Sequence, residues 1–270
     1  MLKTAGLILN GRKEEAVRCA ERASVYLRQR GILSFDPRTQ NAPAKPDVII
    51  SFGGDGTLLI GAKYALYYDI PLLGINLGTV GFLTEEDPEH LEEAIEAIIS
   101  SSYQTETRKL LHILNSGTGE EYYALNDAVI TRGGYARLIR VDTSVNGNTY
   151  RSFTADGIIV ATPTGSTGYS LSAGGPIVEP GVNCMIITPV CPHSMQHCPC
   201  IVSEKADIQL LLSPDRQQTA ELQIDGQNMG SLTAGDVIHV TGTDKKIRLI
   251  RLHPYNFFSV TRQKLTEWGT

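Results

Sequence analysis

A chain of 270 residues, 41% hydrophobic and 20% charged, has the balance of an ordinary globular protein and the length for one large domain or two smaller ones. A formal net charge of −5 argues against a general nucleic-acid binder, and no apolar run reaches the roughly 20 residues that span a bilayer. Neither nucleic acid nor membrane is therefore an expected partner, and an anionic ligand would have to be met by local groups.

The opening MLKTAGLILNGRKEE turns polar after a few apolar residues, too few for a secretory core, so a cytoplasmic location is expected. Residues 1–105 then alternate apolar runs with helical patterns: TAGLILN, RKEEAVRCAERASVYLRQRG, PDVIISF, IPLLGIN and DPEHLEEAIEAIISS. That alternation predicts an α/β domain with a parallel sheet. In the last segment Asp87 is placed to cap a helix with Pro88 at its first position. Leu91, Ala94, Ile95, Ile98 and Ile99 then fall on one buried face.

From 106 to 252 the runs shorten and become strand-like, as in YYALNDAVITR, GIIVATP, MIITPV, ADIQLLLS and AELQIDG, with Gly, Asn, Asp and Pro between them. These predict an all-β, sandwich-like C-terminal domain without a long helix. The tail 253–270, HPYNFFSVTRQKLTEWGT, is helical in pattern and is expected to return to the first domain.

Three glycine-rich segments sit at predicted strand ends. SFGGDGT at 51–57 leads from a strand into a helical stretch, where backbone amides and a helix N-terminus can meet an anion. A tight turn in which Asp55 caps the following helix accounts for the spacing equally well, and the pattern is neither GxGxxG nor a Walker loop. NLGTVGF at 76–82 follows the next strand, in the position where open α/β sheets bind ligands. ATPTGSTGYSLSAGGP at 161–176 carries six Ser or Thr residues and four glycines, a composition suited to wrapping something polar. One ligand between the two domains would use all three.

Of five cysteines, four lie between 184 and 200, and CPHSMQHCPC at 191–200 has the density of a metal site or a reactive thiol. The odd count and the absence of a disulfide framework favour reduced thiols.

Taken in order, Asn10 and Lys13, GGDGT, NLGTVGFL, LND at 125–127, DG at 156–157, TPTGSTGYSLSAGGP, TPVCPHSM at 188–195 and DGQ at 225–227 resemble the NAD kinase family over nearly the whole chain. The resemblance implies phosphoryl transfer from ATP, with a divalent cation of the magnesium type, to the adenosine 2′-hydroxyl of NAD, giving NADP. It implies a homodimer or homotetramer as well. A ribose hydroxyl is a weak nucleophile, so a carboxylate within hydrogen-bond reach can orient it and take its proton. Asp55 is the candidate.

By motif position, Gly56 and Phe82 would line the nucleotide site, and Asn126 and Asp127 would hold the adenosine. Asp156 would face the nicotinamide amide. Thr167, Gly168, Tyr169, Ser170, Leu171 and Ser172 would form the dinucleotide cradle, with Cys191 beside the nucleotide and Gln227 contributing from a later strand. Structural alternatives stand beside these roles: Asn126 or Asp127 as a turn residue, Tyr169 as a core aromatic, Phe82 as packing behind the turn. The family places Glu more often where Asp127 stands, Ala where Gly168 stands, and Arg before a proline where Cys198 stands. Metal ligands are not assignable from these motifs. Cys198 and Cys200 lack the two-residue spacer of zinc sites, so no structural zinc is expected. Rival readings are a lipid or sugar kinase sharing only GGDGT, and a non-catalytic NAD(P)-sensing protein.

Overall fold

The computed structural model describes the chain except residues 1, 12, 40–41, 79–80, 134–136, 194–197, 216, 269–270 and the side chains of 267–268. Thr79 and Val80 of the second glycine-rich turn, and Ser194, Met195 and His197 of the cysteine-rich segment, thus lie outside the described residues. The chain divides into two compact units, one of residues 1–108 with 246–270, the other of 109–245.

The first unit begins β1 (Thr4–Leu9), α1 (Glu14–Gln29), β2 (Leu33–Phe35), β3 (Val48–Phe52), α2 (Asp55–Tyr68), β4 (Leu72–Ile75) and α3 (Leu91–Ile99). Its strands pair in parallel in the order β2-β1-β3-β4. β3 and β4 are buried along their whole length, as strands covered on both faces must be. Helix α1 turns Ala16, Cys19, Ala20, Ala23 and Leu27 inward, and α3 does the same with Leu91, Ala94, Ile95 and Ile98. Asp87 does not cap α3 directly. Pro88 opens a one-turn 3₁₀ helix, Pro88–His90, that feeds α3, and the Asp87 side chain makes no capping bond.

The second unit is built from antiparallel strands. β5 (Gln104–Asn115), β6 (Glu121–Ala124), β7 (Asp127–Arg132), β8 (Ile139–Val145), β9 (Asn148–Ala155) and β10 (Gly157–Ala161) are followed by a short helix α4 (Tyr169–Ser172). Then come β11 (Cys184–Val190), β12 (Cys200–Ser203), β13 (Ile208–Leu212), β14 (Thr219–Ile224), β15 (Gln227–Thr233), β16 (Val237–Arg251) and α5 (Phe257–Trp268). The last part of β16 and α5 belong to the first unit, where Leu249 lies parallel beside Leu72 of β4.

A six-stranded sheet in the order β12-β11-β10-β7-β14-β15 faces a second antiparallel set that includes β9, β8 and β13. The core between them takes Ile130, Ile158, Val160, Ile187 and Leu222 from one layer and Val141, Phe153, Ile208 and Leu210 from the other. This is the expected sandwich. β10 and β11 do not show the alternation of a half-exposed strand, because their outer face carries a second cluster with Val129, Val178 and Ala173. The glycine- and hydroxyl-rich segment therefore lies across that face. No helix among the described residues is long and apolar enough to cross a membrane.

Candidate active site

Asp55 is the first residue of α2, but its carboxylate does not cap that helix. It reaches across to the second glycine-rich turn and accepts the backbone N–H of Phe82 at 2.9 Å and of Leu83 at 3.1 Å. Gly81 makes this approach possible, since a Cβ there would collide with Asp55 Oδ1. One carboxylate thus joins the turns that follow β3 and β4. The Phe82 side chain is buried at 8% exposure, and Gly56 is exposed on the first turn of α2. Asn76, at the end of β4, donates through Nδ2 to the Gly78 carbonyl at 3.0 Å.

In the second unit the LND segment is fixed by a residue that the motif reading left without a role. The carboxylate of Asp225 accepts three consecutive backbone N–H groups, from Leu125 at 2.8 Å, Asn126 at 2.7 Å and Asp127 at 3.1 Å. Its own N–H returns to the Asp127 carbonyl at 3.0 Å. Asp225 (φ 47°) and Gly226 (φ 74°) form the two-residue turn between β14 and β15, and a DG pair between two strand-like runs is the sequence signal that could have found it.

The 162–172 segment closes onto LND from the other side. Thr162 N–H donates to the Asn126 carbonyl at 2.8 Å, and Thr162 Oγ1 donates to the Leu125 carbonyl at 2.6 Å. A Cβ on Gly165 would overlap the Asn126 carbonyl, so glycine is required for this contact. Ser166 bonds both the carbonyl and the N–H of Val178, and Ser170 bonds Thr188 at 2.9 Å. Ser166, Thr167 and Ser170 are buried, Gly168 and Leu171 are half-buried, and Ser172 is exposed. Tyr169 is 44% exposed and so is not a core aromatic. A methyl at Gly168 would meet the Gly165 carbonyl at an ordinary 3.4 Å, so the position has room for alanine as well as glycine.

Asp156, at the β9–β10 junction, is paired with Arg132 at 3.2 Å. Cys191 follows β11 in the left-handed region (φ 45°) and is exposed. Burial, then the neighbouring Cys191, Asp156 and Asp127, push the Tyr169 phenol upward, which places these four side chains in one electrostatic neighbourhood. Burial and then the Asp225 carboxylate push Asp127 up to about 7. Gln227 is half-buried at the start of β15, opposite Ile224. All five cysteines are free thiols, and no cluster of three or more metal-ligating side chains occurs among the described residues.

Two family models match the chain: the ATP-NAD kinase N-terminal domain over residues 36–103 and the ATP-NAD kinase C-terminal domain over residues 125–252. The NAD kinase of Heliobacterium modesticaldum is 36% identical over 98% of this chain and 99% of its own. That of Geobacter sulfurreducens is 39% identical over 85% of this chain and 81% of its own. Among solved structures, a yeast NADH kinase complexed with NADH superposes with a TM-score of 0.86 at 26% identity, covering 98% of this chain and 88% of that one. An NAD kinase from Archaeoglobus fulgidus in complex with ATP gives 0.73 at 26% identity, covering 96% and 98%. These matches put the chain in the class of phosphotransferases. Within that class, it belongs to the ATP-NAD kinase family.

Proposed function

We propose that this chain transfers a phosphoryl group from ATP to the 2′-hydroxyl of the adenosine ribose of NAD, giving NADP. The observation that carries the proposal is the Asp55 carboxylate, fixed by two backbone amides at a glycine-rich turn. Those amides hold the group in one orientation and leave lone pairs with which it can accept a proton from an attacking hydroxyl.

In this reading residues 1–105 with 253–270 carry the phosphoryl-transfer turn, with Gly56 and Phe82 lining it. Residues 106–252 are the dinucleotide-binding domain. Asn126 and Asp127 hold the adenosine, Asp156 the nicotinamide amide, and Thr167 to Ser172 the cradle, with Tyr169 offering its half-exposed ring. Cys191 and Gln227 complete it. The shorter Asp127 replaces the family's more common Glu and would reach the ribose only if the sugar sits close to β7.

A divalent cation fits this donor set as a companion of the nucleotide. Magnesium is commonly held by one or two carboxylates with substrate phosphates, and Asp55 is the carboxylate on the loop. When bound it would neutralise charge on the transferring phosphoryl. We also propose a cytoplasmic location and a homodimer or homotetramer, on the family's pattern; sedimentation reads the latter.

The test is an assay of purified protein with NAD, ATP and magnesium, reading NADP directly. NADP formation requiring all three is expected. ATP consumption without NADP would favour the lipid or sugar kinase, and NAD binding without turnover would favour the sensor. The match of the C-terminal domain model over 125–252 speaks against a kinase that shares GGDGT alone.

A further inference from the structure

We infer that the buried ion pair Arg251–Glu85 is a positioning device for the Asp55 carboxylate, an inference that rests on Asp55 acting as the base. Both side chains are almost fully buried, at 4% and 6% exposure, and Arg251 Nη1 lies 2.7 Å from Glu85 Oε2. The same guanidinium engages Glu106 through Nε at 2.7 Å and approaches the Leu83 carbonyl at 3.4 Å. The other Glu85 oxygen accepts the N–H of Leu252 at 2.8 Å and of His253 at 3.0 Å. The Tyr255 ring lies 4.2 Å from the Arg251 guanidinium carbon, and its hydroxyl donates to the Phe82 carbonyl at 3.4 Å.

Residues 82–85 are therefore held on the face opposite Asp55. The Phe82 carbonyl and the Leu83 N–H belong to one planar peptide group, so a bond that fixes the carbonyl also aims the amide. Tyr255 fixes that plane and Arg251 fixes the next one, while the N–H groups of the same strap hold the carboxylate. Arginine suits this task because its planar fork serves several acceptors in fixed directions, which the single ammonium of lysine does not. Stability alone gives no reason for the pair, since a buried ion pair is often replaceable by apolar residues without loss.

The experiment measures kcat and KM for NAD and ATP in Arg251→Lys and Glu85→Gln, each alone and in an Asp55→Asn background, with circular dichroism and thermal melting to check folding. The expected result is a fall in kcat of about tenfold, with KM for NAD changed by less than about twofold, and no further fall when Asp55 is already Asn. An unchanged kcat in the folded variants overturns the inference. So does a loss of equal size in the Asp55→Asn background, which would mark a general structural effect. If neither variant folds, Tyr255→Phe removes one hydroxyl only, and a fall of about threefold that vanishes in the Asp55→Asn background is expected; no fall overturns the inference. Near-normal turnover of Asp55→Asn alone would instead remove the base. An inactive Asp55→Asn beside a fully active Arg251→Lys and Glu85→Gln would remove only the positioning role.

Discussion

The Asp55 turn and the 162–172 segment both place glycines and polar groups at strand ends, yet they are held by opposite means. Around Asp55 the scaffold is ionic: a carboxylate on backbone amides, and behind the strap an ion network of the buried Arg251, Glu85 and Arg108 with the half-buried Glu106. The 162–172 segment is held by neutral groups, with Thr162, Ser166 and Ser170 bonded to backbone or to another hydroxyl. The difference bears on function. A group that must carry charge through a reaction is presented by fixed charges and dipoles. In the 162–172 segment, which the proposed function assigns to the dinucleotide, the hydroxyls hold their own loop and leave Tyr169 and Ser172 outward.

Removing the charge from the first region tests this most severely. Asp55→Asn keeps the size of the side chain and one acceptor oxygen for the Phe82 and Leu83 amides. We expect turnover to fall by about two orders of magnitude or more while NAD affinity, read by calorimetric titration, changes little. Near-normal turnover in the folded variant would erase the contrast.

The LND segment onto which the second region closes holds a charge that works against folding, Asp127. Asp127 has its carboxyl displaced from 3.8 to about 7 by burial and by Asp225. The folded state holds that proton more tightly than the unfolded chain does. The stability this gives is full below about pH 4 and is lost as pH rises through 7. Asp127→Asn imitates the protonated form, so it should match the parent near pH 4 and exceed it by about 2 kcal/mol at pH 8.5. A difference in melting temperature that does not vary with pH would show that Asp127 is not a buried, titrating group.

How much of this could be read in advance divides by sequence distance. The parallel strands, the inward faces of α1 and α3, the glycine-rich turns and Asp55 itself all lie in local patterns of period, propensity and motif. The partners that give them meaning do not. Asp225 holds an amide 100 residues away, and Arg251 meets Glu85 at a separation of 166, pairings that one sequence cannot display. Local reading placed Asp87 and Pro88 at the start of a helical stretch, where they lie, but not the 3₁₀ turn with which that stretch opens. The two-faced burial of β10 and β11 was hidden for the same reason, since the segment covering them carries few large apolar residues.

Tyr169→Ala is a milder probe of the neutral region. An aromatic face in a cradle contributes binding shared by ground and transition states, so its loss should raise KM for NAD about fivefold with kcat nearly constant. Unchanged NAD affinity would show that the exposed ring does not meet the ligand.

The smallest effect is expected at the cysteines of the 198–200 stretch. Changing Cys198 and Cys200 together to Ser should leave activity and metal content unaltered. Cys198 is exposed, and Cys200 opens β12, opposite Ile187, with its thiol 3.8 Å from the Ile201 carbonyl. Cys198 precedes β12, and a tetrahedral site would need two further ligands beside the two cysteines. His193 is tied by its backbone N–H to the Thr154 carbonyl at 2.9 Å. Pro192 and Pro199 each fix one backbone φ in this stretch. The cost in stability should be below about 1 kcal/mol, because serine fills nearly the same volume at sites that keep solvent contact. Elemental analysis decides the matter: one tightly held zinc per chain, lost in the double variant, would mean that this stretch is a metal site and that the second unit, too, relies on charge.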